Sequence, residues 1–116
     1  IAACGDVTSP ATASKYARTH AGLCAAATQI RTGSALDARA TFLNRSHGDL
    51  HLLAGELAEQ DRSVAARLLT EKQAVEVGPW VDADAAQGNR LLALARTTRV
   101  GIGVLGQTEP PACASP

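Results

Sequence analysis

Tyr16, His20, Leu23, Ala27 and Ile30 follow one another at spacings of 4, 3, 4 and 3 residues. That period places them on one face of an α-helix, and it constrains the fold more than any other feature of the chain. The side chains available to bury are mostly small. Tyr16, Phe42 and Trp80 are the only aromatic residues, there is no Met, and Ala and Leu dominate. Ala and Leu are strong helix formers, while the β-branched residues that favour strands are sparse. The 116 residues suffice for one domain with its own core. The expectation is an all-α protein whose helices pack closely over small side chains.

The helix period divides the chain. The first helix covers residues 14–32 and stops at Gly33, a residue suited to a helix C-terminus. Ser34-Ala-Leu-Asp37 has capping-box spacing. A second stripe runs through Leu36, Ala40, Leu43, His47, Leu50, Ala54 and Leu57. Gly48 lies inside it, and Ser46-His-Gly-Asp49 offers a second cap. The alternatives are one helix of about 25 residues or two with a break near 46, and the continuous stripe favours a single bent helix. Glu59–Ser63 is polar and reads as a turn. Val64, Leu68 and Val75 mark a third helix ending before Gly78-Pro79. Asp84-Ala-Ala-Gln87 is a further capping-box candidate, opening a fourth helix through Leu91, Leu94, Ala95 and Thr98. From Gly101 onward Gly and Pro take over. Four amphipathic helices with short connections read as an up-down-up-down four-helix bundle.

Charge narrows the partners. Lys+Arg and Asp+Glu balance at 11 each, with no basic run to follow a phosphate backbone, so nucleic acid is not expected. No stretch approaches the roughly 20 apolar residues of a membrane-spanning helix. Arg outnumbers Lys nine to two, which, with the Ala richness, reads as the codon usage of a GC-rich bacterial genome.

Ile1-Ala2-Ala3-Cys4 is an aliphatic residue, two small residues and Cys. These four positions resemble the lipobox of bacterial lipoproteins. The resemblance implies cleavage before Cys4, a lipid on Cys4, and a preceding signal peptide. Residues 5–14 are rich in Thr, Ser, Ala and Pro, which suits a flexible tether. It also implies a place outside the cytoplasm, anchored to the membrane of the bacterial cell envelope. Three cysteines are an odd number for an exported chain. With Cys4 lipidated, Cys24 and Cys113 remain as a pair. A bridge would tie the tail to the first helix and contribute roughly 3–5 kcal/mol. The alternative is two thiols, Cys24 buried and Cys113 free. The expected organisation is a lipobox remnant and tether over 1–13, a bundle over 14–106, and a tail over 107–116.

Gly101-Ile-Gly-Val-Leu-Gly106 matches G-x-G-x-x-G literally. It lacks the preceding strand, following helix and distal acid that dinucleotide binding requires, and reads instead as an apolar segment packing across the bundle end. His47 and His51 are four apart, so both imidazoles lie on one side of a helix where they can reach one metal. His20, which interrupts the first apolar stripe, is the natural third ligand, and Cys24 adds a thiolate if it is not oxidised. Zinc or copper suits such donors. The competing reading places each His at a core edge, donating to a backbone carbonyl. Ser46, His47 and Asp49 are close in sequence but offer no convergence or oxyanion hole, so no catalytic residue is assigned and no enzyme is expected. Asp82 and Asp84 compete for the N-cap of the last helix. Trp80 follows Pro79 and reads as a lid on the bundle end. Two functions follow. The first is a non-enzymatic, lipid-anchored module binding another envelope protein. The second is a small metal or haem binder using His47, His51 and His20.

Overall fold

The computed structural model describes residues 14–114. They form five α-helices: α1 Ala17–Arg31, α2 Ala35–Arg45, α3 His47–Ala58, α4 Arg62–Val77 and α5 Ala85–Val104. The expected helical class holds, and the described residues contain no β-strand element. Helix α1 packs against α2 and α5, α3 packs against α4, and α4 packs against α5. The lipobox at Cys4 and the tether expected over 1–13 lie outside the described residues.

The first stripe is the inner face of α1: Tyr16, His20, Leu23, Ala27 and Ile30 are all buried. The helix ends as its sequence suggests. Gly33 has φ +85°, and its N–H donates to the Ile30 carbonyl while Ser34 N–H donates to that of Gln29. Two carbonyls left over at the helix end are thereby satisfied, in a conformation glycine adopts without strain.

The second stripe is where expectation and structure part. Residues 34–60 form two helices, not one, which makes five helices in place of four. The buried residues of α2 are Ala38 and Phe42. Leu36 (67 % exposed) and Leu43 (43 %) face water. Ala40 is two residues from both Ala38 and Phe42, hence on the opposite side of the helix. Ser46 interrupts the helix with φ −125°. It is buried, and its Oγ donates to the Thr19 carbonyl at 2.9 Å. The break is pressed against α1 at Gly22, where a Cβ would lie 2.6 Å from Ser46 Oγ and 2.9 Å from Arg45 Cβ. Neither Ser34 nor Ser46 makes a side-chain cap, contrary to the capping boxes expected there. After the break the stripe resumes correctly: Leu50, Ala54 and Leu57 are buried.

Helix α4 is capped by Asp61, whose carboxylate accepts from the N–H groups of Ser63 and Val64. Helix α5 is capped by Asp84 rather than Asp82. Gln87 does not close a capping box, since its Nε2 donates to the Val75 carbonyl, tying α5 to the end of α4. Helix α5 runs on through Gly101 to Val104, beyond the Thr98 limit expected. Gly101 belongs in it for steric reasons: a Cβ there would lie 2.7 Å from Leu57 Cδ1. The helix ends at Val104, and Gly106 two residues on, at φ +74°, turns the chain out of it. The chain then turns back along α5. Arg99 Nε donates to the Pro110 carbonyl at 2.8 Å, and Cys113 meets Cys24 on α1 with an S–S distance of 2.02 Å.

Candidate functional site

His47 and His51 stand side by side on α3, ring centroids 5.3 Å apart and nearly perpendicular. His47 is half-buried: Phe42 packs edge-on at 5.9 Å, and His47 Nε2 lies 2.7 Å from Glu76 Oε2 on α4. Lys72, itself buried, reaches the same carboxylate oxygen at 2.6 Å. Burial works against ionisation of Glu76, but Lys72 and then His47 outweigh it and hold the carboxyl below its usual range. His47 is thus committed to a carboxylate that already serves a buried lysine, which is the core-edge role with a side chain in place of a carbonyl. His51 is exposed, so the expectation that all three histidines sit on or beside core faces fails for it.

His20 goes elsewhere, and the three imidazoles do not converge. The ring is 2 % exposed. Its two nitrogens lie 3.8 and 3.9 Å from Cys24 Sγ, one helical turn along α1. Donor atoms of His20, Cys24 and Cys113 all fall within 4.8 Å of one another, and among the described residues no other three His, Cys, Asp or Glu side chains meet so closely. A cavity of about 250 Å³ opens beside this cluster, lined by His20, Arg99 and Cys113 among others. Burial, then the Arg99 guanidinium, pushes the His20 pKa down, so the ring is held neutral. Cys24 was legible as a candidate ligand. Cys113 as its neighbour was legible only through the disulfide expectation, and Arg99 carried no signal in the sequence.

The Ser46, His47, Asp49 trio is not a catalytic unit. Ser46 Oγ is spent on the Thr19 carbonyl, Asp49 accepts from Thr19 Oγ1 at 3.3 Å, and His47 points to Glu76. Glu56, on the same helix, receives the Tyr16 hydroxyl and the Lys15 ammonium. Lys15 and then Tyr16 hold the Glu56 carboxyl below its usual range, while burial and then Glu56 raise the pKa of the Tyr16 hydroxyl far above its ordinary value.

Trp80 packs on Phe42 with ring centroids 5.8 Å apart, closing that end of the core. Beside it a groove of about 290 Å³ runs between the α1–α2 turn and the α4–α5 connection, lined by Leu36, Trp80, Val81 and Asp82 among others. Leu36 and Val81 are 67 % and 70 % exposed there, and Val77 nearby is 76 % exposed. No described helix is long and apolar enough to cross a membrane. No protein-family model, no curated protein and no solved structure matches this chain.

Proposed function

We propose that this chain is a lipid-anchored, extracytoplasmic helical module of the bacterial cell envelope that binds another envelope protein and is not an enzyme. In this reading α2 and α3 together form one bent leg of an up-down-up-down bundle. The observation that carries the proposal is the pairing of Cys24 with Cys113. Disulfides persist in oxidising compartments, and this one accounts for two of the three cysteines. Cys4, in its lipobox-like surroundings, is the cysteine left for lipid.

The surface supports the binding role. Leu36, Val77 and Val81 expose apolar area that a monomer gains nothing by showing to water. Their position fits a tethered protein. Ser14, where the tether would join the domain, hydrogen-bonds Gln107 just beyond the C-terminus of α5. Trp80 precedes the N-terminus of the same helix, about 30 Å away for its 20 residues. The groove lies near the opposite end of α5 from Ser14, which suits a partner met away from an anchor.

A metal-binding role is the second reading. It is favoured not by His47, whose partner Glu76 is already engaged by Lys72, nor by the exposed His51, but by the His20 cluster. The lead reading is tested by expressing the full precursor in a bacterium fed an alkyne-bearing fatty acid. Wild type is expected to take up label and sediment with membranes, and Cys4→Ser to do neither. Equal labelling and sedimentation of both proteins would refute the anchor. A photo-crosslinking residue at Val81 is expected to trap an envelope protein that the same residue at Thr70 does not. Indistinguishable crosslinking from the two positions would refute the binding face.

A further inference from the structure

His20 is a buried polar side chain with no oxygen or nitrogen partner for its ring. At 2 % exposure its ring nitrogens find only the sulfur of Cys24, at 3.8 and 3.9 Å. A buried polar group without a strong partner destabilises the fold. Gln87, Thr98 and Ser46 are equally buried, and each donates to a carbonyl at 2.8–2.9 Å. A lone pair left on a buried imidazole beside two sulfurs has one obvious chemical use.

We propose that His20, Cys24 and Cys113 form a redox-gated zinc site, closed as a disulfide and opened by thiol reduction. A dithiol reductant attacks the disulfide by thiol–disulfide exchange. The bond between the two protein sulfurs breaks, the reductant leaves as its own disulfide, and Cys24 and Cys113 each gain a proton. Zinc then binds both sulfurs as thiolates, releasing two protons to solvent, with neutral His20 as the third ligand. Water takes the fourth position, as in open zinc sites. An oxidised dithiol reverses the sequence and expels the metal.

The geometry suits this ion. Zn–S of about 2.3 Å and Zn–N of about 2.0–2.1 Å in a tetrahedron put sulfur and nitrogen about 3.6 Å apart, and the two sulfurs about 3.8 Å apart. His20 and Cys24 already stand at 3.8 Å, set by one turn of α1. Two adjustments are needed: the sulfur of Cys113 moves out of bonding distance to about 3.8 Å from that of Cys24, and the His20 ring, whose two nitrogens stand almost equally far from Cys24 Sγ, turns one of them toward the ion. Cys113 belongs to the returning tail rather than to a helix, and the adjoining cavity of about 250 Å³ gives the sulfur and a water somewhere to go.

The test uses the full chain carrying Cys4→Ser throughout, so that Cys24 and Cys113 are the only thiols. Protein reduced with a phosphine is titrated with cobalt(II), then zinc displaces the cobalt. One equivalent is expected, with a thiolate-to-cobalt charge-transfer band and the visible bands of a tetrahedral site, and zinc binding at about micromolar affinity or tighter. The oxidised protein, which needs no further substitution, is expected to show no band. His20→Gln, checked for helicity by circular dichroism, is expected to weaken zinc by about tenfold or more and to shift the visible bands. The proposal is overturned if the reduced chain shows no charge-transfer band. It is equally overturned if oxidised protein binds as well, or if His20→Gln leaves both affinity and bands unchanged.

Discussion

Replacing the bridge by Cys24→Ala with Cys113→Ser should cost this domain a large part of its stability. The cysteines are 89 residues apart, so the bridge closes most of the chain into one loop. The chain-entropy relation gives about 4.6 kcal/mol for a loop of this length at 25 °C. Domains of this size have only about 5–15 kcal/mol in total. With an unfolding entropy of about 2.1 cal/mol/K per residue, the melting temperature should fall by about 20 °C. Among the described residues the tail's other side-chain ties are modest: Ser14 Oγ donates to Gln107, Arg99 Nε donates to the Pro110 carbonyl, and Arg99 makes a partly exposed contact with Glu109 at 3.6 Å. The assay is urea unfolding of the oxidised chain and the double variant, both with Cys4→Ser, followed by circular dichroism. The variant's m-value should also rise, because an unbridged unfolded chain exposes more surface. A loss below about 1 kcal/mol with an unchanged m-value would refute the argument, and would mean that the bridge constrains neither state.

Three other outcomes follow from the packing and the charges. Phe42→Ala empties a fully buried site and should cost about 3–5 kcal/mol. Because Trp80 rests on that ring, its fluorescence should shift to the red, and an unshifted spectrum would contradict the lid role. Asp84→Ala removes the oxygen that accepts Ala86 N–H and should cost about 1 kcal/mol in thermal unfolding. Glu56 titrates below the usual 4.5 in the fold, so the unfolded chain binds its proton more readily. Its stabilisation is present above that value and is lost as pH falls through the lowered folded pKa. Glu56→Gln should therefore flatten the acid limb of stability against pH, and an unchanged limb would assign it to other carboxylates.

Much of the fold could be read from the residues, and the failures have physical causes. The inner faces of α1, α4 and α5 were legible because their large apolar residues recur at one phase, as in Val64, Leu68 and Val75 or Leu91, Leu94 and Ala95. In α2 the large residues mislead. Leu36 and Leu43 outweigh Ala38 in any hydropathy count, yet it is the small Ala38 that α2 buries together with Phe42. The break at Ser46 was one of two alternatives open in the sequence, and the continuous stripe hid that Gly22 of α1 leaves room for it. The end of α5 was misplaced because Gly101 and Gly103 are poor helix formers in isolation, while Leu57 leaves no room for a side chain at Gly101. The disulfide could be anticipated from counting cysteines. That His20 would join it, instead of His47 and His51, depended on the returning tail.

The pairing of Cys24 with Cys113 underlies both the envelope assignment and the gated site. The direct measurement is thiol trapping in intact bacteria expressing the native precursor, followed by peptide mass spectrometry without reduction. The account predicts a cross-linked peptide pair joining Cys24 to Cys113 in the membrane fraction, with both thiols alkylated only after a reductant is added. Full alkylation of both cysteines in untreated cells would contradict it.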